Sequence, residues 1–124
     1  MATPRGETWD EDELRDREIP RDFQNAGANA VFRTRGDSMI NAGILEGDIL
    51  FVRKTRNHRF ANGRIVVCRL NGTFTVKRLQ MTNDAIHLIS EKTGERVVIV
   101  NEDAESFSLI GVVVGMSRDF TKRA

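Results

Sequence analysis

A single cysteine, Cys68, among 124 residues leaves no disulfide to be formed within the chain. No apolar stretch approaches the length of a membrane-spanning helix and no signal peptide opens the sequence, so a cytoplasmic protein without a membrane partner is expected. The two histidines, His58 and His87, have no Cys or His at metal-ligand spacing, and neither a metal nor another cofactor is expected. Net charge is nearly absent: 19 Lys and Arg against 18 Asp and Glu give +1, which argues against wholesale nucleic-acid binding. Repeats and low-complexity tracts are missing too. The residues ahead of the first strand are too few, and too poor in helical apolar periodicity, for a helix-turn-helix domain.

What the chain does have is strand signals about every ten residues, at 31–35, 48–53, 64–70, 73–79, 85–90, 95–100 and 107–116. That spacing points to one mostly β domain of crossing, partly barrel-like antiparallel sheets. The clearest local signal is Asn71-Gly72, a two-residue hairpin turn between Ile65-Val66-Val67-Cys68-Arg69-Leu70 and Thr73-Phe74-Thr75-Val76-Lys77-Arg78-Leu79. Pairing Leu70 with Thr73 places Lys77 opposite Val66. Alternation then puts Lys77 on the face of Thr75, Leu79, Val66 and Cys68, with Arg69 and Arg78 on the other.

A lysine inserted among apolar neighbours is unusual, and burial disfavours the ammonium form. A neutral amine can take a proton from a serine hydroxyl, which is otherwise a poor nucleophile. The candidate serine is Ser38. The strand Ala30-Val31-Phe32-Arg33-Thr34-Arg35 is broken by Gly36-Asp37, and Ser38-Met39-Ile40-Asn41-Ala42 then begins a helical turn. A serine at such a break is exposed beside backbone N–H groups that can stabilise an oxyanion. Taken alone, an Asp-Ser pair is more commonly a turn or a helix cap. Cys68, on the apolar face, is expected to be a buried small hydrophobe rather than a reactive thiol.

With these residues in view, Gly36-Asp37-Ser38-Met39, Gly43-Ile44 and Gly47-Asp48-Ile49-Leu50 resemble the catalytic domain of LexA and UmuD proteins and phage repressors. The runs from Asn62 to Leu70 and Thr75-Val76-Lys77-Arg78-Leu79 resemble that domain's lysine hairpin, and Phe107 to Gly115 its last strand. The resemblance spans roughly residues 20–118. It implies a LexA/signal-peptidase-like fold and a serine endopeptidase with a Ser–Lys dyad. Ser38 would be the nucleophile, Lys77 the general base, and the backbone around Asp37 and Met39 the oxyanion stabiliser. It further implies cleavage of one Ala-Gly or Cys-Gly bond in the protein's own N-terminal part, stimulated by a RecA filament, in SOS or phage-repressor regulation. The absence of an apolar membrane anchor separates the chain from signal peptidases, which also use a Ser–Lys pair.

Two departures stand out. Ile89-Ser90-Glu91-Lys92-Thr93-Gly94 replaces the proline-containing segment that usually follows the lysine hairpin. No Ala-Gly or Cys-Gly pair lies where self-cleaving relatives carry theirs: Ala26-Gly27 is at the foot of the first core strand and Ala42-Gly43 is inside the motif. Two readings of the task follow. One is a peptidase that acts in trans, for example on a repressor. The other is a non-catalytic dimeric accessory to a translesion DNA polymerase, like processed UmuD, with the dyad a relic.

Three further segments carry expectations. Residues 1–22 form a charged, mobile arm ahead of a peptidase domain at 23–124, with Leu14, Ile19 and Phe23 able to lie across the domain surface. The basic run from Arg53 to Arg59, followed by Arg64, is by default a solvated loop, and its sharper reading is a contact for DNA or an acidic partner. The last strand, Leu109 to Met116, is apolar on both faces, as expected of a central strand or of the interface through which family members form homodimers.

Overall fold

The hairpin anchors the sheet. In the computed structural model, which describes residues 13–120, Asn71 and Gly72 take φ of 53° and 80°. Positive φ at both central residues is what a type I′ turn needs, and its twist matches that of the flanking strands. Strand β3 (Ile65–Leu70) therefore pairs with β4 (Thr73–Thr82) in the register Leu70↔Thr73 and Val66↔Lys77, as the sequence predicts.

The remaining strands are β1 (Ala30–Arg33), β2 (Ile49–Lys54), β5 (Ala85–Ile89), β6 (Val98–Asn101) and β7 (Phe107–Ser117). All seven join one antiparallel sheet in the order β1-β2-β7-β3-β4-β5-β6, curled into a half-barrel. Two bulges, at Phe51/Val52 against β7 and at Val67/Cys68 against β7, bend the strands where the sheet curls. Two short helices, α1 (Arg21–Asn25) and α2 (His58–Ala61), and a 3-10 turn at Ile40–Ala42 complete the described elements.

Both faces of the sheet centre are buried. Val66, Cys68, Leu79, Ile86, Leu88 and Val112 pack on one side. Phe32, Met39, Leu50, Val52, Val67 and Val76 pack on the other. Each side chain so buried stabilises the fold by about 1.5–3 kcal/mol relative to exposure. Leu14, Ile19 and Phe23 pack on a third cluster formed by Ala28, Val31, Ile49 and Phe51. Leu14 N–H donates to Val31 O at 2.7 Å, so this part of the arm runs along the outer edge of β1. The first part of the arm, residues 1–12, lies outside the described residues.

Strand β7 lies between β2 and β3, which makes it a central strand with both edges paired. Its Gly111 is required by that position. A Cβ there would collide with the carbonyl oxygen of Arg53 and sit 2.9 Å from Lys54 Cα, both fixed backbone. Gly111→Ala is therefore expected to destabilise the domain by about 2 kcal/mol, read as a lower melting temperature by circular dichroism.

Strand ends differ from the sequence reading where long-range contacts intervene. β4 runs on to Thr82 because β5 pairs with it from Arg78 to Thr82. β6 starts only at Val98, where its pairing with β5 begins opposite Leu88. β1 stops at Arg33, shortly before the positive φ of Gly36.

Candidate active site

The turn that carries Ser38 meets β4 at Val76, the residue before Lys77. Arg78 is the last β4 residue paired with β5, so residues 73–77 have no β5 partner. The turn after β1 lies at this stretch: Ser38 Oγ donates to the Val76 carbonyl at 3.1 Å, beside the peptide bond that leads into Lys77. Lys77 is largely covered, its side chain 13 % exposed. Its strand neighbours on the same face, Val66, Cys68 and Leu79, are fully buried. The amine donates to Ser90 Oγ at 2.7 Å and lies 4.0 Å from Glu95 Oε1. Neither of these hydrogen bonds joins Ser38 and Lys77 to each other.

The turn carrying Ser38 is held from both sides. Ile40 N–H donates to Asp37 O at 3.1 Å, and the Met39 carbonyl accepts from Ala42 N–H and Ile44 N–H. Met39 is buried at 1 % exposure and inserts its side chain into the core, so it serves as an anchor for the turn. Residues 90–95 close the other side. Glu91 O accepts from Asn41 N–H at 2.7 Å, and Glu91 N–H reaches Met39 Sδ at 3.4 Å. Asn41 Nδ2 reaches Thr93 Oγ1 at 3.4 Å. Asp37 accepts from Lys92 Nζ at 2.9 Å; that hydrogen bond holds its carboxyl below the usual carboxylate range, and the lysine charge adds to it.

Cys68 behaves as the sequence predicts. Burial pushes its thiol up to about 12, against an opposing pull from the Lys77 charge, so the thiol stays protonated and inert. The basic segment is partly engaged internally. The Arg53 and Arg64 guanidinium groups lie 4.4 and 4.8 Å from the Phe60 ring centroid, and Arg64 Nε donates to Phe60 O. His58 sits 3.7 Å from Glu102, and His87 hydrogen-bonds Thr82 Oγ1 at 2.9 Å. No group of three or more His, Cys, Asp or Glu able to hold a metal occurs among the described residues. Among the same residues no helix is long and apolar enough to cross a membrane.

A model of the family described as Peptidase S24-like matches residues 3–114. The chain belongs to the Peptidase S24-like family. It is similar to a LexA repressor of Cupriavidus pinatubonensis, with 48 % identity over 88 residues. LexA repressors of Cupriavidus metallidurans and Cupriavidus necator are each 43 % identical over 88 residues. These matches cover 71 % of this chain and 39 % of each relative, so the S24-like chain spans about two-fifths of the length of those proteins.

Sequence reasoning missed three residues of this S24-like site. Ser90 and Glu95, which approach the Lys77 amine, lie in or just after the segment where the family resemblance breaks, and that break was the available signal. Lys92, the partner of Asp37, lies in the same segment, but nothing in it pointed to Asp37. A Lys in a charged loop looks the same whether or not it finds a carboxylate.

Proposed function

We propose that this domain is a serine peptidase of the LexA/UmuD type, in which Ser38 is the nucleophile and Lys77 the general base. The observation that carries the reading is the seating of Ser38 Oγ on the Val76 carbonyl, next to a lysine that is largely buried among apolar side chains. Ser38 Oγ attacks the scissile carbonyl as its proton passes to neutral Lys77 Nζ. The backbone around Asp37 and Met39 stabilises the oxyanion. The ammonium of Lys77 then gives its proton to the leaving amine, and water hydrolyses the acyl-enzyme. Ile40 and Leu45, both exposed beside the nucleophile turn, offer apolar contact to an extended peptide. In this reading the domain acts as a homodimer in stress or repressor regulation, with a repressor as substrate and a RecA filament as activator.

A second reading takes the domain as a non-catalytic accessory to a DNA polymerase. What favours it is that Ser38 and Lys77 each bond to another partner instead of to one another. Peptide-library digestion separates the two. The purified protein and its Ser38→Ala variant are incubated with a diverse library from neutral pH to about pH 10, where a lysine amine loses its proton, and the products are mapped by mass spectrometry. The peptidase reading expects cleavage that depends on Ser38 and increases with pH. Identical product spectra from the two proteins, with and without a RecA filament, would transfer the assignment to the accessory role.

A further inference from the structure

We infer that Ser90 is the positioning residue of the lysine base, its hydroxyl fixing the direction of the Lys77 amine relative to Ser38. The inference rests on the Ser–Lys reading above and adds a third residue to it. Its ground is the 2.7 Å hydrogen bond from Lys77 Nζ to Ser90 Oγ, at a group whose flexible stem would otherwise leave the amine free to wander.

Register explains why Ser90 arrives there. β5 ends at Ile89, which lies opposite Arg78 on β4. Continuing that antiparallel register by one step brings Ser90 beside Lys77, on the same side of the sheet. The next residue, Glu91, is fixed three ways. Its carboxylate takes a 2.6 Å bond from Arg78 Nε, its carbonyl accepts from Asn41 N–H, and its N–H reaches Met39 Sδ. Met39 adjoins Ser38, so the segment that presents the Ser90 hydroxyl is tied to the turn that presents the nucleophile. The hydroxyl, the amine and the nucleophile are thus placed by one interlocked set of contacts. A constellation held this way keeps the orientation that proton transfer requires.

The chemistry suits the role. A hydroxyl oxygen accepts an N–H from either the neutral amine or the ammonium, so it can hold Lys77 before and after the amine takes a proton. A neutral amine that donates one N–H to Ser90 still has its lone pair for the Ser38 proton. Glu95, the other group at the amine, is a carboxylate 4.0 Å away and 36 % exposed. At that distance it gives weaker direction than a 2.7 Å bond.

The test compares Ser90→Ala and Ser90→Thr with the parent protein on a peptide that the parent cleaves, with Ser38→Ala and Lys77→Ala as controls. Ser90→Ala is expected to lower kcat by roughly 10- to 100-fold with little change in KM, as for a modest misplacement of a reacting group. Ser90→Thr, which keeps the hydroxyl, is expected to restore most of it. A merely structural role would lower the melting temperature without this kcat-against-KM split. Parent-like kcat for Ser90→Ala, with both dyad controls inactive, would overturn the inference and leave the dyad standing. Cleavage that survives Ser38→Ala would instead remove the dyad reading, and this inference with it. A substrate-free readout is 1H–13C NMR of the Lys77 ε-methylene, assigned by its loss in Lys77→Ala. Its two protons are expected to be inequivalent in the parent and Ser90→Thr and to merge in Ser90→Ala. An unchanged signal in Ser90→Ala would also overturn the proposal.

Discussion

Lys77→Ala is expected to reduce peptide cleavage by on the order of 10⁴-fold or more while the domain stays folded. The large kinetic effect follows from the role proposed for the amine, which is to take the Ser38 hydroxyl proton. Val76 offers only a carbonyl, which accepts a hydrogen bond but does not take the proton. The small structural effect follows from the surroundings. Val66, Cys68 and Leu79 are fully buried around the lysine stem, and alanine removes a cation from an apolar face. The melting temperature should therefore hold or rise. Lys77→Arg sharpens the test, because a guanidinium keeps the charge but cannot deprotonate in a protein. Arginine should be as inactive as alanine if the lysine works as a base. Substantial cleavage by the arginine variant would mean that the position supplies only positive charge. Kinetics on a cleavable peptide, with thermal melting in parallel, reads both predictions.

The second large effect concerns stability. Arg118→Ala is expected to destabilise the domain, because a buried carboxylate loses its charged partner, and to lower the melting temperature by roughly 5–10 °C. Asp48 is 1 % exposed, and its carboxylate is matched on both oxygens by Arg118, from Nε and Nη2, each at 2.7 Å. Leu45 N–H supplies a further 2.7 Å bond. Arg118 Nη2 also reaches the Gly43 carbonyl at 2.9 Å, so this one side chain ties the end of β7 to the loop that follows the nucleophile turn. Truncating it leaves a buried carboxylate with a single backbone donor. Adding Asp48→Asn to Arg118→Ala removes the orphaned charge and should recover part of the loss. Full additivity of the two substitutions would argue against the coupling.

The same pair sets a pH dependence. Burial by itself would push the Asp48 carboxyl up, but hydrogen bonds from Arg118 and Leu45 N–H, with the guanidinium charge, hold it below its ordinary value. A carboxyl depressed in the folded state contributes stability that is fully present above its unfolded value, about 3.9, and is lost as pH falls through the lower folded value. The parent should therefore lose this contribution in acid. In Arg118→Ala only the Leu45 N–H still opposes the push from burial, so the gap between the two proteins should be widest at neutral pH and narrow as pH falls below about 4. Urea melts at several pH values measure it. A gap that stays constant into acid would assign the effect of Arg118 to packing and not to charge.

Particular residues show what could be read in advance. Asn71-Gly72 is a local signal, since it depends only on which residues tolerate positive φ, and from it follow the turn, the register and the neighbours of Lys77. The break at Gly36-Asp37 was equally local, and Ser38 sits just beyond the strand as that break requires. Alternation along β3 and β4 foretold that Lys77 would share a face with Val66, Cys68 and Leu79. Asp48, by contrast, stood as the first residue of the strand signal at 48–53, and its burial beside Arg118, far along the chain, shows it as a buried acid.

The sequence by itself thus determined a mostly β domain, the hairpin that carries Lys77 and the chain break that carries Ser38, which is half-buried and not exposed as a serine at such a break was expected to be. Each depends on turn geometry and on the two-residue period of strands, which act over a few residues. Tertiary structure alone decided that Ser38 docks on Val76, that Ser90 meets the Lys77 amine where β5 ends, and that β2 and β3 are the strands that flank β7. Those outcomes depend on how strands far apart in the chain register and pack, and no local pattern of residues encodes which carbonyl, hydroxyl or carboxylate will arrive next to which donor.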